Sequence, residues 1–306
     1  MPQARSTTPA ATDRPGWRRR LPILLAWVFA LELIVAAAVP FDAAGDSRSR
    51  HAQLVTPARG HVGAASKSLV VGDRTVRLWG PGGLPSDRLL SRVASNMGSA
   101  IRAVEAFWGA DWPRDVSVLA AGSNEQFRAA AGGGPASQWA DIAAVTVADR
   151  VDPTRRVALG QRIVFAPGAA NMNEPALRIV LTHELFHYAA RPATASDAPR
   201  WLTEGVADFV ARPPTPVPRD ALPVPLTMPA DGDLDAPGPQ RSAAYDRAWW
   251  FARFVADTYG PPKLRDLYVA ACGVSHVDVP TAVHDVLGVD TAGLLVRWHQ
   301  WPAGAA

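Results

Sequence analysis

Residues 183–187 read His-Glu-Leu-Phe-His, and residues 201–208 read Trp-Leu-Thr-Glu-Gly-Val-Ala-Asp. No other feature restricts the fold as tightly, because its chemistry needs one helix with a second helix beside it. An α-helix turns about 100° per residue, so His183 and His187 stand one above the other, with Glu184 about 60° around from His187. The two imidazoles can then hold one cation between them, while Glu184 contacts a water on that cation without binding the ion. Glu204, from the second helix, completes three protein ligands and leaves the fourth position open, the pattern of a catalytic zinc. One zinc per chain is expected. Asp208, four residues beyond Glu204 on the same helical face, is placed to accept the outer N–H of a ligating histidine.

The five-residue string alone also arises by chance, as two histidines and a glutamate on a solvated helix face. Its surroundings separate the two readings. Leu177, Val180, Leu181, Leu185 and Tyr188 recur at helical spacing. Asn173 suits the N-cap of that helix, Glu174 and Pro175 suit its first turn, and Pro192 stops it.

The segments His-Glu-Leu-Phe-His and Trp-Leu-Thr-Glu-Gly-Val-Ala-Asp-Phe resemble the gluzincin metallopeptidases, in particular the peptidase MA-like group of bacterial proteins. The resemblance runs from Leu177 to Trp301 and includes Ala244-Tyr245, Tyr259-Gly260, and Val286-Leu287-Gly288 before Trp298. It implies that His183, His187 and Glu204 bind zinc and that Glu184 is the base. It also implies an oxyanion donor, a tyrosine or histidine, further along the chain. Tyr245 is the candidate, with His276, His284 and His299 behind it, while Tyr188 is expected to pack.

Charge and hydropathy place the remainder. The chain of 306 residues is 48% apolar and 19% charged, enough to bury a full core, and its formal charge is +3. Residues 1–40 hold Arg5, Arg14, Arg18, Arg19 and Arg20 against Asp13 and Glu32, which leaves 26 basic and 26 acidic residues elsewhere. The basicity is therefore a signal of membrane topology, and no nucleic-acid partner is expected. Leu21 to Val39 is an apolar run of nineteen residues behind Arg18-Arg19-Arg20. It reads as an uncleaved anchor, or as a signal peptide cleaved near Ala36-Ala37-Ala38. Both place the body outside: single-pass at the cell membrane through residues 21–39 in the first case, secreted in the second. Cys272 is the only cysteine, so no intramolecular disulfide forms, and its apolar neighbours predict a buried thiol.

The expected organisation is an arginine-rich tail over 1–20, the anchor or leader over 21–40, a linker over 41–66, an α/β part over 67–172 and a helical metal-binding part over 173–306. The fold class is α+β: a small mixed β-sheet with a long helix, then a mostly helical zincin-like part, with a cleft between them. A hairpin is predicted about Gly72-Asp73, a helix over 86–109, strands over 116–120, 142–147 and 162–165, and a short helix over 124–131. By the resemblance, the strand Gln161 to Ala166 is a sheet edge able to pair with an extended peptide, although it can equally be a strand that only packs. Residues 213–240 contain nine prolines and show neither period, so they are expected to form a long loop, as a wall of the site or a surface connection. Ser242 to Tyr259, Lys263 to Ala271 and a last helix ending at Trp301 close the body.

Together these features predict an extracytoplasmic zinc metallopeptidase acting on a peptide or protein. An endopeptidase is favoured over an aminopeptidase, because no second acidic motif stands out to hold a free amine. The alternative is a catalytically silent peptide-binding pseudo-peptidase on the same fold; an intact Glu184 argues against it.

Overall fold

The computed structural model describes residues 65–215 and 227–301. The arginine-rich tail, the apolar run of residues 21–39, nearly all of the linker and residues 216–226 of the Pro-rich segment lie outside the described residues.

The chain opens with a hairpin, β1 (Ala65–Val71) and β2 (Arg74–Gly80), turning at Gly72, whose φ of +60° costs a glycine little. Helix α1 (Leu84–Trp108) crosses to β3 (Asp115–Ala120), which lies parallel to β2. A short α2 (Asn124–Ala130), capped by the Ser123 side chain, precedes β4 (Ala144–Val147). A small separate hairpin follows, β5 (Arg150–Asp152) with β6 (Val157–Leu159), and then β7 (Arg162–Phe165). The five-stranded sheet runs β1-β2-β3-β7-β4, with β7 parallel to β3 and antiparallel to β4.

The sheet order decides between the two readings of the strand Gln161 to Ala166. The strand around residues 161–166 is not an edge, because β7 is hydrogen-bonded on both sides. The outer strand on this flank is β4, paired to β7 with Thr146 opposite Ile163. The resemblance allowed an edge here, but the chain returns through the β5–β6 hairpin and inserts β7 inside β4.

The second half is helical: α3 (Glu174–Ala190), α4 (Arg200–Ala211), a single turn α5 (Asp231–Leu234), α6 (Gly238–Tyr259), α7 (Pro261–Cys272), α8 (Val279–Leu287) and α9 (Thr291–Gln300). The Pro-rich segment is therefore not a loop throughout. Its last ten residues hold α5 and the first turn of α6, where prolines occupy positions that need no N–H donor. The Asp231 side chain accepts from the Trp201 main-chain N–H, which fastens this stretch to the start of α4.

Helix α3 organises the whole. Asn173 caps it by accepting from the Ala176 N–H, and every residue from Val180 to Ala190 is buried. A helix buried on all sides sits at the centre of its domain. One face meets the aromatic group of Phe107, Trp108, Phe186 and Tyr268, whose rings pack edge-on or tilted at 5.2–6.0 Å. A single continuous apolar core runs from Val76 in β2 to Trp298 in α9, so the α/β and helical halves pack as one unit. Cys272 is buried, as its neighbours predicted. Among the described residues, no single helix is long and apolar enough to cross a membrane.

Candidate metal centre

Helices α3 and α4 pack side by side, and their facing polar residues meet inside the core. His183 Nε2 lies 3.0 Å from His187 Nε2. Glu204 Oε2 is 3.3 Å from His183 Nε2, and Glu204 Oε1 is 3.8 Å from His187 Nε2. The four ligands of a tetrahedral zinc, about 2.0–2.2 Å from the ion, stand roughly 3.3–3.6 Å from one another. The observed spacings bracket that range, and these three residues form the one such cluster among the described residues.

The donor chemistry agrees with the spacing. His183 Nδ1 is 2.9 Å from Asp208 Oδ1, and a carboxylate only accepts, so Nδ1 carries a proton and Nε2 is the nitrogen on the side of His187 and Glu204. The fully buried Glu204 carboxylate faces both imidazoles, its two oxygens 3.3 Å from His183 Nε2 and 3.8 Å from His187 Nε2. A buried carboxylate is costly unless positive charge faces it, and a cation held between the imidazoles would supply that charge. Zinc therefore fits these residues, and His183, His187 and Glu204 are the side chains that could hold it.

Asp208 is itself held. Arg212, at the C-terminal end of α4, sits 2.7 Å from Asp208 Oδ2 and donates to Asp246 at 2.8 Å. Burial opposes charge on Asp208, but Arg212 and the His183 contact outweigh it and keep the carboxyl below its usual range. Burial likewise opposes charge on His183, yet its bonds to Asp208 and Glu204 prevail and push it up to about 9. The line from His183 to Asp208 to Arg212 to Asp246 thus fixes the imidazole from behind.

Glu184 is fully buried beside the pair of histidines. Burial raises its pKa, while the nearby imidazoles and a hydrogen bond from Thr146 pull it back. Its Oε1 has no hydrogen-bond partner. Tyr245, on α6, is as buried as the ligands. Burial first, and the Glu204 charge second, raise its phenol well above the ordinary value, so it stays a protonated donor.

The histidines behind Tyr245 lie apart from this cluster: His276 contacts the Gly273 carbonyl and His284 contacts Asp285. Tyr188 packs, donating to the Asp115 carbonyl at 2.9 Å. Sequence reasoning missed Thr146 and the Arg212–Asp246 pair. Thr146 is a lone hydroxyl in the otherwise apolar stretch Ile142 to Ala148, which was the available signal.

No protein-family profile matches the chain, and no curated protein sequence matches it. Solved structures similar to it include a two-domain M1 zinc metallopeptidase mutant bound to L-arginine, at 14% identity, covering 79% of this chain and 52% of the other, with a TM-score of 0.43. A mutant M1 zinc metallopeptidase from Deinococcus radiodurans matches at 16% identity over the same shares, with a TM-score of 0.40. A third, the two-domain enzyme bound to L-tryptophan, matches at 15% identity with a TM-score of 0.40. The chain spans about half the length of these structures.

Proposed function

We propose that this chain is a zinc-dependent metallopeptidase whose general base is Glu184. The observation that carries it is the buried convergence of His183, His187 and the carboxylate of Glu204, with a second carboxylate, Glu184, alongside. Zinc, when bound, supplies Lewis acidity that activates a water and polarises a carbonyl. Glu184 takes the proton of the attacking water as its oxygen bonds to the carbonyl carbon. It returns that proton to the amine as the C–N bond breaks. Tyr245 donates to the developing oxyanion, its phenol kept protonated by burial. A silent binding module would have no use for the buried Glu184.

The substrate is a peptide or protein. Cleavage at internal bonds is our assignment, since the sequence offers no second acidic motif for a free amine; cleavage of amino-blocked peptides tests it. The arginine cluster before residues 21–39 supports a membrane-anchored chain with the site outside, or a secreted one. Protease protection of whole cells and spheroplasts distinguishes both from an internal site.

Profiling a peptide library with wild type and Glu184→Gln tests the function. The variant should keep zinc and lose turnover about a thousandfold, the scale of a general base. Zinc-loaded wild type that cleaves nothing, or a variant with an unchanged rate, contradicts it. Tyr245→Phe should lower kcat with KM little changed; an unaltered kcat removes the donor assignment.

A further inference from the structure

The edge strand of the sheet reaches the proposed base directly. Thr146, in β4, places its hydroxyl 2.9 Å from Glu184 Oε2 and 2.8 Å from the Glu184 main-chain oxygen. A hydroxyl has one proton to give, and a helix carbonyl already has a partner in its own ladder, so the charged Oε2 is the stronger acceptor. Side chains alternate along a strand. Ala144 belongs to the main core that includes α3, while Val145 and Val147 belong to the smaller cluster formed with Phe127 and Trp139. Thr146 therefore shares the face of Ala144, turned toward α3, and is buried there.

The consequence lies in the asymmetry of the carboxylate. One oxygen of Glu184 is tied to Thr146, and the other, Oε1, is buried with no hydrogen-bond partner. A carboxylate pivots about its last bond, and a base works only from the rotamer that aims its free oxygen at the reacting proton. On the footing that Glu184 is the base of a peptidase, we propose that Thr146 is a positioning residue: its hydroxyl anchors Oε2 and so reserves Oε1 for proton transfer. A hydroxyl confined to packing would need no acceptor on the side chain of the base, and valine would fill the same space.

Thr146→Val removes the hydroxyl and keeps the β-branched shape that suits a strand. The probe is a quenched-fluorescent peptide chosen from the wild-type cleavage profile. We expect kcat to fall roughly ten- to a hundredfold, the weight of a hydrogen bond to a charged group. KM, zinc content and melting temperature should stay close to wild type, and Thr146→Ser should recover the rate. A Thr146→Val enzyme with wild-type kcat overturns the proposal, as does a serine variant no faster than the valine one. If the valine variant does not fold, Thr146→Ala takes its place, and loss of folding there too makes the role structural and overturns the proposal. Glu184→Gln separates the two levels. A Glu184→Gln enzyme that still turns over removes the base itself, whereas a dead one beside a fully active Thr146→Val removes only the positioning role.

Discussion

Two buried charged clusters of this molecule are built on opposite terms. In the sheet half, Arg74 is fully buried at the start of β2. Its Nη1 donates to the carbonyls of Trp112 and Pro113 at 3.1 and 3.2 Å, and its Nη2 to Glu105 and the Ala110 carbonyl, both at 2.9 Å. Its guanidinium also lies 3.4 Å from the centre of the Trp112 ring. Both terminal nitrogens are occupied, and the result is a clasp holding the end of α1 and the loop after it onto β2. In the helical half, the equally buried Glu204 oxygens stand 3.3 and 3.8 Å from the imidazole nitrogens of His183 and His187, and Glu184 Oε1 has no hydrogen-bond partner. The terminal nitrogens of Arg74 find four protein acceptors, although its Nε has none, whereas Glu184 Oε1 beside the imidazole pair is left without a donor. On the proposed function, the difference separates a charge that holds the fold from groups kept for an outside cation and a reacting proton.

That contrast can be broken experimentally. The largest effect is expected for His187→Ala, which should lose bound zinc and all measurable hydrolysis, and whose melting temperature should no longer respond to a chelator. Wild type should lose about 4 kcal/mol on chelation if zinc stands near a thousand times its Kd. Equal chelator responses in the two proteins would remove His187 from the ligand set.

Arg74→Leu should cost about 3 kcal/mol in urea unfolding, because buried carbonyls and Glu105 lose their partner. It should leave zinc stoichiometry and kcat of the folded fraction untouched. A zinc deficit in that variant would show that the two clusters are not independent.

Asp208→Asn comes next. Its ring partner keeps an acceptor but loses the charge, so zinc affinity should fall about ten- to a hundredfold, measured by competition with a chromophoric chelator. An unchanged affinity would reduce Asp208 to packing. The smallest effect belongs to the exposed Arg77–Asp115 pair at 2.9 Å. Removing it with Asp115→Asn should change stability by about 0.5 kcal/mol or less, and a change several times larger would mean that exposed pairs rival the buried clusters here.

What the amino-acid order disclosed follows the range of the contacts. His183, His187, Glu204 and Asp208 were legible because helical spacing alone stacks each pair on one face, and α3 and α4 are near neighbours in the chain. Asn173 as the cap of α3 and the Gly72 hairpin were legible for the same local reason. Thr146 was not, since its partner is 38 residues away across a strand and a helix. Arg74 was not, because an arginine at the start of a strand ordinarily faces water, and its acceptors lie on a distant loop. The choice between an edge strand and a packed one for residues 161–166 stayed open, because the insertion of β7 inside β4 is a matter of long-range pairing that periodicity does not encode. Gly205, inside the second motif, carried a signal left unread. A Cβ there would overlap the Ala248 carbonyl of α6, so its side-chain-free surface lets α6 approach α4, bringing the helix of Tyr245 toward the helix of Glu204.

The most direct test is zinc X-ray absorption on the purified full chain. Two imidazole nitrogens and carboxylate oxygen at about 2.0–2.2 Å, with one equivalent of zinc, are predicted. A protein that holds no zinc, or a shell lacking imidazole, would contradict the site.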